Sequence, residues 1–527
     1  MKYSRLPDLK NRVGQLFMIG IKGESLSTEE KEFIRSNNIG FIILFSRNFI
    51  STDQLVKLTT EIHSMCDTPP AIFIDQEGGP IVRLGEDGST IISHMGLAAT
   101  GKKRNARRAG SIIGKEMRAL GIDGVFAPVL DVNSHKENPV IGIRSFSDDP
   151  DVVAEYGSEF FQGLKKEKIL GCGKHFPGHG HTVKDSHLEI PESAINNKFL
   201  SDINLPPFQK LINKGINSLM TAHVHFPLIS NDIATFSPVI TGDILRNKLE
   251  FNGVLFSDCL EMDAIKNNFS SQDIIDGIIQ SVVDVAIVSH SLTLQKELID
   301  LMRSNIDTGE IPEGRIEDSL RRIRELKKNM RGRSIGRQKK SLRLRKKIRV
   351  ERKIARESIT LLKNDHGLIP LNKSRSILMI DLKQSIHSAN LYNSKGLNIL
   401  ESIAGRFFHS ADYFLPEQEF RITEDEKKKI INADHILIFD YSWSGVLDKA
   451  RESFIGNIFN LRKDSIIICA NSPYIADCYG GAGTTILTYG SRNVQIEALF
   501  FILSGRSKPK GKLPVTISEK FPSGSGI

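Results

Sequence analysis

The run KHFPGHGHTVKDSH, residues 174–187, holds four of the chain's 14 histidines together with Lys174 and Asp185. Two chemistries compete for such a set. Imidazole and carboxylate suit zinc, and His179 and His181 form an H-x-H pair to which His175, His187 and Asp258 could add ligands. Against this, Pro177, Gly178 and Gly180 place the pair in a loop rather than on a strand, and Lys174 would set a positive charge beside the cation. The second chemistry is proton transfer. Asp185 and His187 stand two apart, so in an extended loop they point the same way. The carboxylate can then fix the imidazole tautomer while the other ring nitrogen exchanges a proton, which an unperturbed pKa of about 6.5 suits near neutrality. Glycoside cleavage needs such a group and a second one that attacks or stabilises the oxocarbenium-like centre. Asp258, directly after the apolar run GVLFS, is the candidate for that second role.

These residues need a scaffold that brings distant stretches together. Eight short apolar runs recur through the first half, at 14–20, 39–46, 71–76, 124–132, 169–176, 217–224, 253–260 and 283–289, with helical patterns between them. Near-continuous apolar runs suit strands buried on both faces of a parallel sheet. Eight β/α units predict a TIM-type (β/α)8 barrel, with a long doubly wound sheet as the alternative. In such a barrel the chemistry sits at the carboxyl ends of the strands. That rule selects Asp75, Asp131, Lys174 with His175, His223, Asp258 and His290. So many polar residues at equivalent positions predict a site for a ligand rich in hydroxyl or amide groups.

Four further runs, at 376–382, 435–442, 465–472 and 484–490, alternate with helical stretches and predict a second, open α/β sandwich. The fold class is therefore α/β, with a catalytic barrel over 1–320, a basic linker over 321–356 and a C-terminal α/β sandwich domain over 357–527. Net charge is +9, yet 17 of the 71 Lys and Arg lie between 321 and 353 beside only two Glu, and the remainder of the chain is mildly acidic. Basicity confined to one stretch argues against specific nucleic-acid binding by the protein as a whole; the stretch reads either as a site for an anionic surface or as a solvated linker or exposed helix. Five scattered cysteines, no apolar run of bilayer length and a start without a leader pattern predict a reduced, cytoplasmic protein with no transmembrane segment.

The blocks DQEGG (75–79), FAPVLDV (126–132), NPVIGIRSF (138–146), KHFPGHGHTVKDSH (174–187), MTAHV (220–224) and GVLFSDCLEMDAI (253–265) occur in the order found in family 3 glycoside hydrolases. The chain resembles the bacterial β-N-acetylglucosaminidase branch of that family, the peptidoglycan-recycling type. ESITLLKNDHGLIPL (357–371) and GKLPVTI (511–517) resemble its C-terminal sandwich domain, so the likeness covers nearly the whole chain. The resemblance implies Asp258 as nucleophile and His187, oriented by Asp185, as acid/base. It implies Asp75, Arg83, Arg144, Lys174 and His175 as residues that hold the hydroxyls and N-acetyl group of the terminal sugar, and His223 is read as lining the site. It also implies retaining double displacement on N-acetylglucosaminides such as muropeptide fragments, without metal or organic cofactor. β-Glucosidase, phosphorylase, metal-dependent hydrolase and non-catalytic glycan binder are the alternatives. Three positions depart from the family pattern: Pro80, His181 and Cys259. His179 is read as structural, and Cys259 as a packing residue whose thiol is raised by its acidic neighbours.

Overall fold

The computed structural model describes residues 9–527 except 86, 187, 329, 331–344, 383–397 and 417–419. His187 and much of the basic stretch therefore lie outside the described residues, as do residues 1–8 of the start read for a leader.

Nine parallel strands form the first sheet: β1 (Phe17–Gly20), β2 (Phe41–Leu44), β3 (Ala71–Ile74), β4 (Gly124–Val125), β5 (Leu170–Gly171), β6 (Gly173–Phe176), β7 (Ser218–Thr221), β8 (Val254–Cys259) and β9 (Val285–Val288). Their order is β5-β4-β3-β2-β1-β9-β8-β7-β6. The two ends of that order, β5 and β6, are consecutive in the chain and separated only by Cys172. The sheet therefore curls into a barrel of eight runs, the fifth interrupted, and all eight are the apolar runs read from the sequence.

The apolar runs form strands because both faces are covered, as burial of every residue in β1, β2, β3 and β9 shows. Inside the barrel, Phe41, Phe73, Phe126 and Phe256 meet edge-on or tilted, with centroids 5.2–6.1 Å apart. Truncating one of these rings to Ala is worth about 3–5 kcal/mol. On the outside, helices Lys103–Ala119 and Pro150–Lys166 pack together through glycine. A Cβ on Gly110 would lie 2.1 Å from the Phe160 carbonyl oxygen, so only glycine allows that approach.

The second sheet holds β10 (Thr360–Asn364), β11 (Ser376–Leu382), β12 (Ser410–Phe414), β13 (His435–Asp440), β14 (Ile466–Cys469) and β15 (Thr484–Leu487). Its order is β10-β15-β14-β13-β11-β12, parallel except for β10, which runs antiparallel to β15. The first residue of the stretch read as a linker, 321, lies inside helix Glu313–Lys328, and its last, 356, lies inside helix Arg345–Ser358. The latter helix packs on Asn493–Leu503 of the sandwich and on His94–Ala99 of the barrel half. Apolar contacts run across the junction without a break: Met95, Ala99 and Ile143 share a core with Leu362, Ile380 and Leu513. No helix among the described residues is long and apolar enough to cross a membrane.

Candidate active site

The strand ends on one face of the barrel carry a continuous network of charges. Asp75 follows β3, and its two carboxylate oxygens accept from Lys174 Nζ at 2.8 Å and Arg83 at 3.1 Å. Lys174, in β6, also reaches Glu77 at 2.7 Å. Glu77 in turn takes both arms of the Arg144 guanidinium, at 2.9 and 3.0 Å. Such a bidentate pair fixes a plane as well as a distance. Burial alone would raise both acids, but the cations outweigh it. Lys174 and Arg83 hold Asp75 at about 2, and Arg144 and Lys174 hold Glu77 far below the carboxylate range. The same acids raise Lys174 and Arg144 against the opposing effect of burial. All four groups are therefore charged across the working pH range.

Next to this network Asp131 organises the histidine loop. Its carboxylate accepts from His175 Nδ1 at 2.7 Å and from the backbone N–H of His179, also at 2.7 Å. The first bond leaves His175 Nε2 facing Arg144 at 3.5 Å. His179 is buried, and its ring nitrogens meet Thr182 at 2.9 Å and Ser186 at 3.0 Å. It thus pins the loop on both sides of Asp185. Asp185 accepts from the backbone N–H groups of Leu188 and Glu189 through its main-chain carbonyl, at 3.0 and 3.1 Å.

Asp258 lies near the end of β8, partly exposed, with Oδ1 accepting from the Cys259 N–H at 2.7 Å. Burial would raise its carboxyl, yet His175, His223, the Cys259 amide and Lys174 together hold it below the ordinary aspartate value. It is an ionised carboxylate at the barrel mouth. His223 is fully buried beside it. One ring nitrogen meets Thr235 at 2.8 Å and the other the Cys259 carbonyl oxygen at 3.1 Å. Burial, more than the neighbouring acids, pushes the Cys259 thiol up to about 12.

The structure thus brings Asp75, Arg83, Arg144, Lys174 and His175 together, in the electrostatic reach of Asp258. Two residues of the network carried no such role in the sequence reading. Glu77 sits in the DQEGG block two residues after Asp75, on the same side of an extended chain, and that spacing was the available signal. Asp131 is selected in the sequence only as a strand-end residue, with no partner assigned. The described histidines of the loop do not converge on a common point. His181 Nδ1 meets Ser134 at 3.0 Å and its ring lies on Phe199, away from the partners of His175 and His179. Among the described residues, only Cys259, Glu261 and His290 come close enough to share an ion. There Glu261 already accepts from the N–H groups of His290 and Ser291, and the Arg47 guanidinium lies 3.1 Å from His290 Nδ1. A cation fits poorly beside that guanidinium.

The second domain touches this face too. Trp443, between β13 and β14, closes on Gly142, where a Cβ would lie 3.4 Å from its ring, two residues from Arg144. Tyr474 bonds Asn133 at 3.1 Å, and the Gly445 N–H bonds the Lys136 carbonyl at 2.8 Å.

A barrel whose mouth holds fixed charges of both signs around an ionised carboxylate is built to bind a polar ligand and act on it, a design shared by many enzyme classes. Residues 8–326 match the family described as "Glycosyl hydrolase family 3 N terminal domain", and the chain belongs to glycosyl hydrolase family 3. It is 34% identical over 322 residues to a beta-hexosaminidase of Nitrosomonas eutropha, covering 59% of this chain and 91% of that one. A beta-hexosaminidase A of Pseudoalteromonas piscicida is 27% identical over 556 residues, covering 94% of this chain and 92% of that one. The solved structure of a family 3 beta-N-acetylglucosaminidase from Paenibacillus sp. str. FPU-7 superposes with a TM-score of 0.90 at 29% identity, over 97% of this chain and 99% of that chain. The protein is a glycoside hydrolase enzyme.

Proposed function

We propose that the protein is a retaining exo-β-N-acetylglucosaminidase that removes terminal β-linked N-acetylglucosamine, with peptidoglycan-derived muropeptide fragments as its natural substrates. The observation that carries this reading is the set of charges at the strand ends, with Asp258 held ionised next to Lys174 and His175. In this reading Asp75, Arg83, Arg144, Lys174 and His175 hold the terminal sugar. Charge-assisted hydrogen bonds from fixed groups give sugar hydroxyls a pre-set geometry. Glu77 and Asp131 are positioning residues that hold Arg144, Lys174 and His175 in place. His223 lines the site beside Asp258 and braces its strand end through the Cys259 carbonyl.

Asp258 attacks the anomeric carbon and forms a glycosyl-enzyme. His187, oriented by Asp185, first protonates the leaving oxygen and then takes a proton from the incoming water, as two displacements at one carbon require. The names of the relatives, beta-hexosaminidase and beta-N-acetylglucosaminidase, support the choice of sugar. The test is to assay an aryl β-N-acetylglucosaminide beside the matching β-glucoside and follow the first product by NMR. Cleavage of the N-acetylglucosaminide alone, with the β anomer appearing first, is expected. First release of the α anomer overturns the mechanism, and preference for the glucoside overturns the substrate.

A further inference from the structure

Arg83 and Arg144 sit on long loops whose shape the barrel alone does not fix. Arg83 lies between the end of β3 at Ile74 and helix His94–Ala99, and Arg144 between the end of β4 at Val125 and helix Pro150–Lys166. Among the described residues, the only helical structure in the two loops is the short 3-10 turn Gly142–Arg144. Loops of this length take their conformation from what they pack against. Here much of that packing comes from the other domain.

Arg492, just before helix Asn493–Leu503 of the sandwich, donates to the Gly85 carbonyl at 2.9 Å and to the Ser89 carbonyl at 3.3 Å. Thr90 donates its N–H and its hydroxyl to the two oxygens of buried Glu351, at 3.2 and 3.1 Å. Ser93 donates to the Tyr489 carbonyl at 2.5 Å. The Arg144 loop is held in the same way. Ile143 lies in the core shared with Ile380 and Leu513, and Ser147 donates to the Pro514 carbonyl at 2.5 Å. Trp443 covers Gly142, with its carbonyl oxygen and its ring 3.3 and 3.4 Å from where a Cβ would stand. The two loops also meet each other, since His94 bonds the Arg144 carbonyl at 2.8 Å. Asp258 differs. The groups that keep it ionised, the Cys259 N–H, His175, His223 and Lys174, all belong to the barrel.

We propose that Arg492 and Trp443 are positioning residues of the sugar site: Arg492 sets the loop of Arg83 and Trp443 sets the turn of Arg144, so the sandwich governs how tightly the sugar is held. This rests on the functional reading above, in which those two arginines hold the terminal sugar. A group that binds ground state and transition state alike changes KM and leaves kcat alone. In the full chain, Arg492→Met and Trp443→Ala should each raise KM for nitrophenyl β-N-acetylglucosaminide by about fivefold, the worth of about one hydrogen bond, with kcat within about twofold. The inhibition constant of free N-acetylglucosamine should rise by the same factor. Trp443→Phe keeps an aromatic ring over Gly142 and should return both constants most of the way. Arg451→Met is the control, because it weakens the sandwich from inside. It should lower the unfolding temperature and leave both constants at wild-type values. Neither constant depends on how much of the enzyme stays folded, so destabilisation alone does not mimic the effect. Arg492 is partly exposed, so Arg492→Met keeps the fold and the test even if Trp443→Ala does not. Unchanged constants in Arg492→Met, or an equal rise in Arg451→Met, overturn the proposal. Failure of the wild type to cleave the nitrophenyl glycoside at all would instead overturn the functional reading beneath it.

Discussion

Both domains place an aspartate at the end of a parallel strand and pair it with a buried cation, but only one of the two pairs lies in an open site. In the sandwich, Asp440 at the end of β13 accepts from Arg451 at 3.0 Å, from the Ser442 N–H and hydroxyl at 2.7 Å each, and from the Tyr479 hydroxyl. Arg451 and Asp440 are essentially inaccessible, and Phe420 covers the guanidinium at 5.3 Å. Burial and the adjacent carboxylate push the Tyr479 hydroxyl far above its ordinary value. In the barrel, Asp75 and Arg83 keep 15% and 19% of their side chains exposed, and the network continues toward Asp258. Composition does not separate the two clusters. Access does, and with it the presence of a reactive carboxylate within reach.

The sharpest break of the comparison is Asp258→Asn. An amide neither attacks carbon nor carries charge, so turnover should fall to background while thermal unfolding stays near that of the wild type. Unfolding scans beside the nitrophenyl assay check both halves.

Next come paired lesions in the two networks. Glu77→Gln and Arg451→Met each remove one partner from a buried ion pair, which costs about 3–5 kcal/mol of stability. Denaturant titration should show both losses. Only Glu77→Gln should also lower kcat/KM, because it frees Arg144 and Lys174 to move. Equal activity losses in the two folded variants would erase the distinction.

A smaller effect, set by pH, belongs to the barrel network and the histidines packed around it. Burial, more than any neighbour, lowers His94 and His179 from 6.5 to about 4 in the folded protein. His94 stacks on Phe146 and donates to the Arg144 carbonyl, beneath the site. As pH falls from 6.5 toward 4 the unfolded chain gains protons that the folded one does not, so stability falls through that window. Asp75, whose folded pKa is depressed to about 2, loses its stabilising contribution only lower, from about pH 4 downward. His94→Gln should flatten the upper slope in pH-dependent unfolding; an unchanged slope would assign it elsewhere.

The smallest effect concerns the basic stretch. Neutralising the Lys and Arg between 331 and 343 should change turnover of a small aryl substrate by less than about twofold, because none of them belongs to the blocks that carry the candidate site. Lys347 is kept, because it bonds the buried Glu116 at 2.7 Å. Steady-state assays at two ionic strengths check this.

The eight strand runs of the barrel are legible in the sequence because strands buried on both faces must be continuously apolar, and each run is bounded by polar or turn residues. The strand-end rule then selects Asp75, Asp131, Lys174, His175, His223, Asp258 and His290 from residue type and spacing alone. The second sheet was legible for the same reason at β11, β13, β14 and β15. β10 and β12 were not: β10 lies in ESITLLKNDH, which had been matched as a block without an assigned strand, and β12 alternates partly exposed positions along a sheet edge.

Sequence by itself thus determined the strand content, the strand-end polar residues and the family blocks, since these depend on residue type and local spacing. Only the tertiary structure decided the pairings: Glu77 with Arg144 across 67 positions, Asp131 with His175 across 44, and Trp443 against Gly142 from the other domain. It also set His223 against Thr235 and the Cys259 carbonyl and gave His179 its hold on Thr182 and Ser186. A buried charge is tolerated only beside its partner, and which partner folds into reach depends on how distant strand ends meet around the barrel.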